Sequence, residues 1–353
     1  MDVQDQTSTT QALTVATQDG VDMRFNSAEL ALDIDELSKR YIEPAMASLI
    51  SGIDGDMVVA ATKATYNVAG TAGTVVGTVT SGFSDTSALG QARAKLNQGL
   101  APKDKMRSCQ MDSITMASVA NGIKGLFVPK SEIESAWVDG FIGHTAMADF
   151  YENERTWSLS LGSDVTIATD AAALVTDGGN IVDFHTATAA AVTIGAVFTI
   201  AGVYACHPET KQAYQHLQQF VLLTGGGTSG SSTVSPAIYL GLSDATAAKQ
   251  NVCKADGTKL ALTDFDAKNL TFVGAASTTY RQNLMYHKEA FAFATADLPL
   301  MDDAHKCVRK TADGISLRVW QASDIRNDEM LMRIDILYGF LAQRPAWSCR
   351  ITN

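Results

Sequence analysis

The chain has 353 residues, 46% apolar and only 18% charged, which excludes a disordered chain and sets about two or three folding units as the expectation. A net charge of −11 excludes a surface devoted to nucleic acid, which requires clustered Lys and Arg. Five widely spaced cysteines without a C-x-x-C pair, an N-terminal MDVQDQTSTTQ that is neither basic nor apolar, and no uninterrupted apolar run of membrane length are read as a reduced, soluble, cytosolic protein without a signal peptide.

Leu13, Val15, Val21, Met23 and Phe25 alternate with polar residues around Gln18-Asp19-Gly20, which predicts strand, turn, strand over 13–30. From Ile34 the period changes. Leu37, Tyr41, Ala45, Leu49, Ile53, Met57, Ala61 and Ala64 recur every three or four residues, predicting a helix about 45 Å long. Asp33 or Asp35 can cap it, and Asp35 and Glu36 suit its first turn. Pro44 either kinks this helix or marks a fresh start, and Gly52 and Gly55 weaken it.

Residues 67–84 are Gly- and Thr-rich and read as a loop; no Lys follows in the position a phosphate-cradling loop needs. Helices are predicted at 85–98, at 111–124 with Met111, Ile114, Met116, Val119 and Ile123 on its apolar side, and at 131–140. From 163 to 272 short runs (VTIAT, NIVDF, AVTIG, VFTIAGVYA, FVLL, AIYLGL, KLAL, LTFVG) separated by turn signals predict a small all-β barrel or sandwich, interrupted by the polar HPETKQ at 207–212. Residues 273–300 return to longer apolar runs. Beyond them Ile315, Leu317, Val319 and then Met332, Ile334, Ile336 alternate with Ser316, Arg318, Arg333 and Asp335, predicting two long strands with one buried face. The polar stretch 322–330 either returns the pair as a hairpin or leaves the strands apart in a larger sheet.

Candidate chemistry is sparse. Asp183 and His185 share one side of a strand, but no third ligand lies at recognisable spacing, so a solvated strand face is the stronger reading. His207, His216, His287 and His305 are isolated, and no G-x-S-x-G accompanies them. GGGTSGSS at 225–232 opens no helix and reads as a loop tip; Asp324, Arg326, Asn327, Asp328 and Glu329 read as a turn network or an intersubunit ion pair. Lys103, Lys105, Arg107 and Lys306, Arg309, Lys310 read as solvated turns, and Trp320 and Trp347 as core or interface residues. No catalytic, cofactor-binding or metal-ligating residue is assigned.

The stretch GISLRVWQASDIRNDEMLMRIDILYGFLAQRPAWSCRI (314–351) closely resembles the C-terminal segment of tailed-bacteriophage major capsid proteins, of the podovirus coat-protein type with an inserted β-domain. The resemblance extends more loosely over 197–223, 96–133 and 14–49. It implies an α+β fold of the Hong Kong 97 type. Residues 1–30 would be the returning half of a β-hairpin arm, without the outgoing half that family members carry. Residues 31–70 would hold the spine helix of the peripheral domain, 71–162 the axial domain, 163–272 the inserted β-barrel domain and 273–353 the return strands. It further implies a non-enzymatic coat protein that self-assembles as pentamers and hexamers into an icosahedral head shell. That shell would form in the host cytoplasm with a scaffolding protein and a portal, and would enclose DNA without specific contact, membrane or cofactor. The residues alone leave open a cytosolic enzyme whose site has no linear motif.

All five cysteines are expected to be free, with Cys206 and Cys349, on apolar strands, buried. Thiol titration of the denatured, unreduced protein should therefore return five groups, and a deficit would contradict this reading.

Overall fold

The computed structural model describes residues 10–26, 41–76, 87–123, 144–145, 148–163, 167–170, 174–185, 192–224, 229–302, 304–312 and 314–353. The helix expected at 131–140, the start of the long helix at Ile34 and the loop residues 77–84 lie outside these. The chain divides into two units, residues 1–57 with 291–343, and residues 58–290 with 344–353.

The chain opens with β1 (Thr17–Asn26), α1 (Glu43–Ala64), β2 (Val68–Ala69), α2 (Ser87–Gln98), β3 (Arg107–Met111) and α3 (Ser113–Ile123). It continues with β4 (His144–Thr145), β5 (Ala148–Glu152), β6 (Trp157–Ser160), β7 (Ala168–Thr169), β8 (Gly179–His185), β9 (Val197–Cys206) and β10 (Ala213–Thr224). Then come β11 (Ser229–Ile238), α4 (Asp244–Ala247), β12 (Val252–Cys253), β13 (Leu270–Phe272) and β14 (Thr279–His287). It closes with β15 (Phe291–Ala296), β16 (Lys306–Ala312), β17 (Ile315–Asp324), β18 (Glu329–Ala342) and β19 (Ser348–Thr352).

In the first unit β1, β18, β17 and β16 form an antiparallel sheet, with β15 also on β18; β17 and β18 are a hairpin. Phe25, Met332, Ile334 and Ile336 of one face pack with Leu49 and Ile53 of α1. Pro44 is the second residue of α1, and Tyr41 and Ile42 just ahead of it are wound as π-helix, so helical winding runs through the proline rather than starting at it. The helix is long and apolar enough to pass for a membrane span by composition (mean hydropathy 1.2), but Leu49 and Ile53 are buried against the sheet and the Tyr338 hydroxyl donates to Asp56 at 3.1 Å.

The turn expected at Gln18-Asp19-Gly20 is absent: β1 runs straight through it. Gly20 lies opposite Asp335, and a Cβ there would sit 2.9 Å from the Asp335 Cβ and from the Ile334 carbonyl oxygen. Glycine thus serves close approach, not turning. The polar face of β17 and β18 is likewise not solvated as expected. Ser316, Arg318 and Asp335 are buried, whereas Ile315 is 43% exposed. Arg318 grips Asp335 with two donors, Nε at 3.0 Å and Nη2; Gln18 Nε2 donates to the same carboxylate at 2.9 Å, and Arg318 Nη1 donates to the Pro299 carbonyl at 2.7 Å. The chain ahead of β16 covers this face.

In the second unit β2, β19, β14, β3, β5 and β4 form one sheet, with β6 also on β14. Leu89, Ala92 and Leu96 of α2 and Met116 and Val119 of α3 join its core. Met111 belongs to β3 rather than to a helix. The period changes at Asp112, whose carboxylate receives the Thr115 N–H (3.4 Å) and hydroxyl as an N-cap. Met111 and Ile114 therefore do not share a face, and Ile114 is 70% exposed.

The remaining sheet, β12-β9-β10-β11-β8-β7 with β13 on β9, draws its strands from 168–272 alone. A bridge between Ala168 and Asn269, with the Leu270 N–H bonded to the Ile167 carbonyl at 2.8 Å, joins β7 to β13 and closes the strands on themselves. Phe184, Phe198, Phe220, Phe265 and Phe272 fill the interior. Two details differ from expectation. Residues 192–195 of AVTIG and KLAL are not strands, and 229–232 of GGGTSGSS are part of β11. Ser229 to Ser232 pair in register with His185 to Val182, so partner backbone rather than β-propensity decides their state.

Replacing Arg318 by Met leaves the buried Asp335 carboxylate with only the Gln18 amide at 2.9 Å and Arg333 at 3.6 Å, and is expected to lower stability by about 3 kcal/mol in urea unfolding. Arg318→Met with Asp335→Leu should cost clearly less; a double variant as unstable as the sum of the singles would contradict this.

Candidate assembly surface

Arg350 sits at the junction of three elements of the second unit. It is fully buried on β19, with Nη1 donating to the Gly195 carbonyl (2.7 Å), Nη2 to the Lys63 carbonyl at the end of α1 (3.1 Å), and the guanidinium 5.8 Å from the Trp157 ring centre. Burial pulls its pKa down to about 9. Gly195 has φ 89°, and a Cβ there would lie 2.6 Å from Trp157. Beside this joint the Gln219 amide bonds both backbone groups of Val68, at 3.0 and 3.1 Å, and Val68, Val197 and Val221 form an apolar seam. The strands of 168–272 are thereby fastened to β2 and β19.

The turns at one end of that sheet are pinned. Asp177 receives the N–H groups of Leu240 (2.7 Å), Gly241 (3.3 Å) and Leu242 (2.9 Å) and the Thr246 hydroxyl (2.5 Å). Burial pushes its pKa up, but these bonds outweigh it and hold the carboxyl below the usual range. Lys211 Nζ donates to the carbonyls of Pro208 (2.6 Å), Ala248 (2.6 Å) and Gln250 (3.3 Å), tying the HPETKQ turn to α4.

The sequence-derived candidates are scattered. Asp183 lies on β8 opposite Ser231, and the side chain of His185 is outside the described residues. His207 Nδ1 accepts the N–H groups of Glu209 and Thr210, both at 3.1 Å, and His305 is exposed. His287 is not isolated: it is buried, with Nε2 3.0 Å from Asp104 and an edge-on contact to Trp347, whose indole N–H donates to the Gly99 carbonyl. Among the described residues no group of three metal-ligating side chains exists. Arg107 is no solvated turn residue: it is 1% exposed at the start of β3, just after the exposed loop 103–106 that holds Lys103 and Lys105, and donates to the Ala101 and Pro102 carbonyls. Lys306, Arg309 and Lys310 lie on the exposed edge strand β16, as edge strands favour charge. At the β17–β18 turn the Asp324 carboxylate accepts the Arg326 N–H (2.9 Å) and the Asn327 side chain (2.8 Å), while Glu329 pairs with Arg24 at 3.2 Å. Cys109, Cys206, Cys253 and Cys349 are buried, all five thiols are free, and burial pushes Cys253 and Cys349 up to about 12. Arg350 and Gln219 had no signal beyond being polar residues beside apolar ones, and Asp177 none beyond its place in the turn-like Thr-Asp-Gly-Gly of 176–179.

The polar groups of these joints are engaged in pinning turns and strands, an arrangement that suits a protein whose work is holding shape. A family model described as P22 coat protein, gene protein 5, matches residues 4–348, and the chain belongs to that family. It is a structural major capsid protein of a tailed phage and forms the head shell. The family indicates a structural rather than a catalytic role. Similar solved structures include a chain of Mycobacterium phage Che8 (9% identity, TM-score 0.45, covering 98% of this chain and 76% of that one). The capsid of the cyanophage P-SCSP1u is similar at 11% identity and TM-score 0.42, over 98% of this chain and 77% of that one. The CUS-3 coat protein I-domain is 24% identical at TM-score 0.21, over 33% of this chain and 96% of that one. No curated protein matches the sequence.

His216 of β10 is half-buried against Tyr214, and burial, helped by the Lys95 charge, lowers its pKa from 6.5 to about 4. Between those values the unfolded chain binds a proton that the folded chain does not, so stability is lost as pH falls through that window. His216→Gln should flatten this dependence in urea midpoints compared at about pH 7 and about pH 4.5. An unchanged slope would contradict the assignment.

Proposed function

We propose that the chain is a Hong Kong 97 type shell subunit in which 163–272 form an inserted β-domain. Residues 1–30 would then serve as arm, 31–70 as spine helix, 71–162 as axial domain and 273–353 as return strands. The observation that supports this most is the placement of the insertion's ends. Leu161 N–H bonds the Thr278 carbonyl at 3.0 Å and Ser277 N–H bonds the Gly162 carbonyl at 2.9 Å, continuing the β6–β14 ladder. Two chain ends held side by side are what an insertion requires.

In this reading the copies assemble as pentamers and hexamers in the host cytoplasm, guided by a scaffolding protein and a portal, and enclose DNA without specific contact. The net charge of −11 favours such loose contact with DNA. Affinity then comes from many weak repeated interfaces.

Residues 163–272 expressed alone should give dispersed β-type amide shifts and a cooperative melt. A collapsed spectrum would place these strands in the main body instead. Adding the phage's scaffolding protein to the full chain should convert slowly sedimenting subunits into one fast, narrow boundary; an unchanged sedimentation profile would count against the guided assembly.

A further inference from the structure

The turn joining β17 to β18 holds an apolar side chain out in water. Its backbone is set by polar groups: the Asp324 carboxylate receives the Arg326 N–H and the Asn327 side chain, Asp328 adopts a left-handed φ of 54°, and the Arg24–Glu329 pair joins the strand ends. Ile325 contributes to none of this. It is 95% exposed, against 70% for Ile114, the next most exposed large apolar residue described. A single exposed apolar residue ordinarily signifies little. Here, however, a β-branched residue occupies a turn whose other members, Asp324 and Arg326 to Glu329, are all polar.

We propose that Ile325 is an assembly knob that inserts into an apolar recess on a second copy of this chain, with the neighbouring Arg326 pairing with a carboxylate of that copy. The Arg326 guanidinium has no partner among the described residues, and a chain of net charge −11 offers it carboxylates on a neighbour's surface. A knob on one surface and a recess on another make a heterologous contact, the kind from which rings and closed shells are built. A rigid turn presents the anchor without an ordering cost on binding. The proposal rests on the shell-subunit function.

The test compares wild type, Ile325→Val and Ile325→Asp under one assembly condition. Ile325→Asp should keep the wild-type unfolding midpoint, since the side chain touches nothing in its own subunit, while its yield of closed particles falls about tenfold or more. Ile325→Val should assemble nearly as wild type. Wild-type yield from Ile325→Asp would overturn the knob. Wild-type protein that forms no particles would overturn the shell function, and the knob with it. A photo-crosslinking p-benzoylphenylalanine in place of Ile325 gives an independent readout: covalent dimers should form within particles, and monomers alone from illuminated particles would overturn the proposal.

Discussion

The Arg350 guanidinium has no exposed surface and no carboxylate; its acceptors are the carbonyls of Gly195 and Lys63. Burying a charge this way is expensive; two of its nitrogens are placed on carbonyls while Nε is buried without a hydrogen-bond partner, and Trp157 and the glycine at 195 leave little freedom for another arrangement. The same device recurs elsewhere. Arg318 holds Asp335 and the Pro299 carbonyl, and Arg107 holds the carbonyls of Ala101 and Pro102. In a chain with only 18% charged residues, several cations lie inside, fixing which backbone segments meet. An apolar residue of similar size would pack as well, but it would not choose among carbonyls.

These interior charges explain where the reading of the sequence succeeded and where it failed. The alternation of Met332, Ile334 and Ile336 correctly marked a strand with a buried face, and HPETKQ a break between strands. Yet Arg318 and Asp335 read as solvated, because periodicity reports which residues alternate and not what covers the second face. Gln18-Asp19-Gly20 read as a turn because composition there is turn-like, whereas the deciding contact, Gly20 against Asp335, lies more than three hundred positions away in the chain. Ser229 to Ser232 failed for the same reason: strand β8 supplies the hydrogen bonds. Asp104 with His287 and Gln219 with Val68 had no local trace at all.

What the pinned joints achieve is constancy of shape, and for a shell subunit that is the functional requirement. Each copy must present the same contacts many times over, so looseness at one joint is multiplied across the shell. Asp177 and Lys211 remove freedom from the turns around α4 by bonding backbone groups directly. The His287–Asp104 contact and the Trp347 indole do the same near the C-terminus. Titratable groups are placed for holding rather than for chemistry: the buried thiols are pushed away from their reactive form, His207 accepts backbone N–H groups, His287 accepts the Glu289 N–H and donates to Asp104, and His216 stacks on Tyr214.

Cryo-electron micrographs of the full-length chain, purified with its scaffolding partner, test the central claim most directly. The account predicts closed icosahedral particles of one size whose subunit density accommodates the β1-β18-β17-β16 sheet, α1 and the closed sheet of 168–272. Isolated compact monomers or dimers under every assembly condition would contradict it.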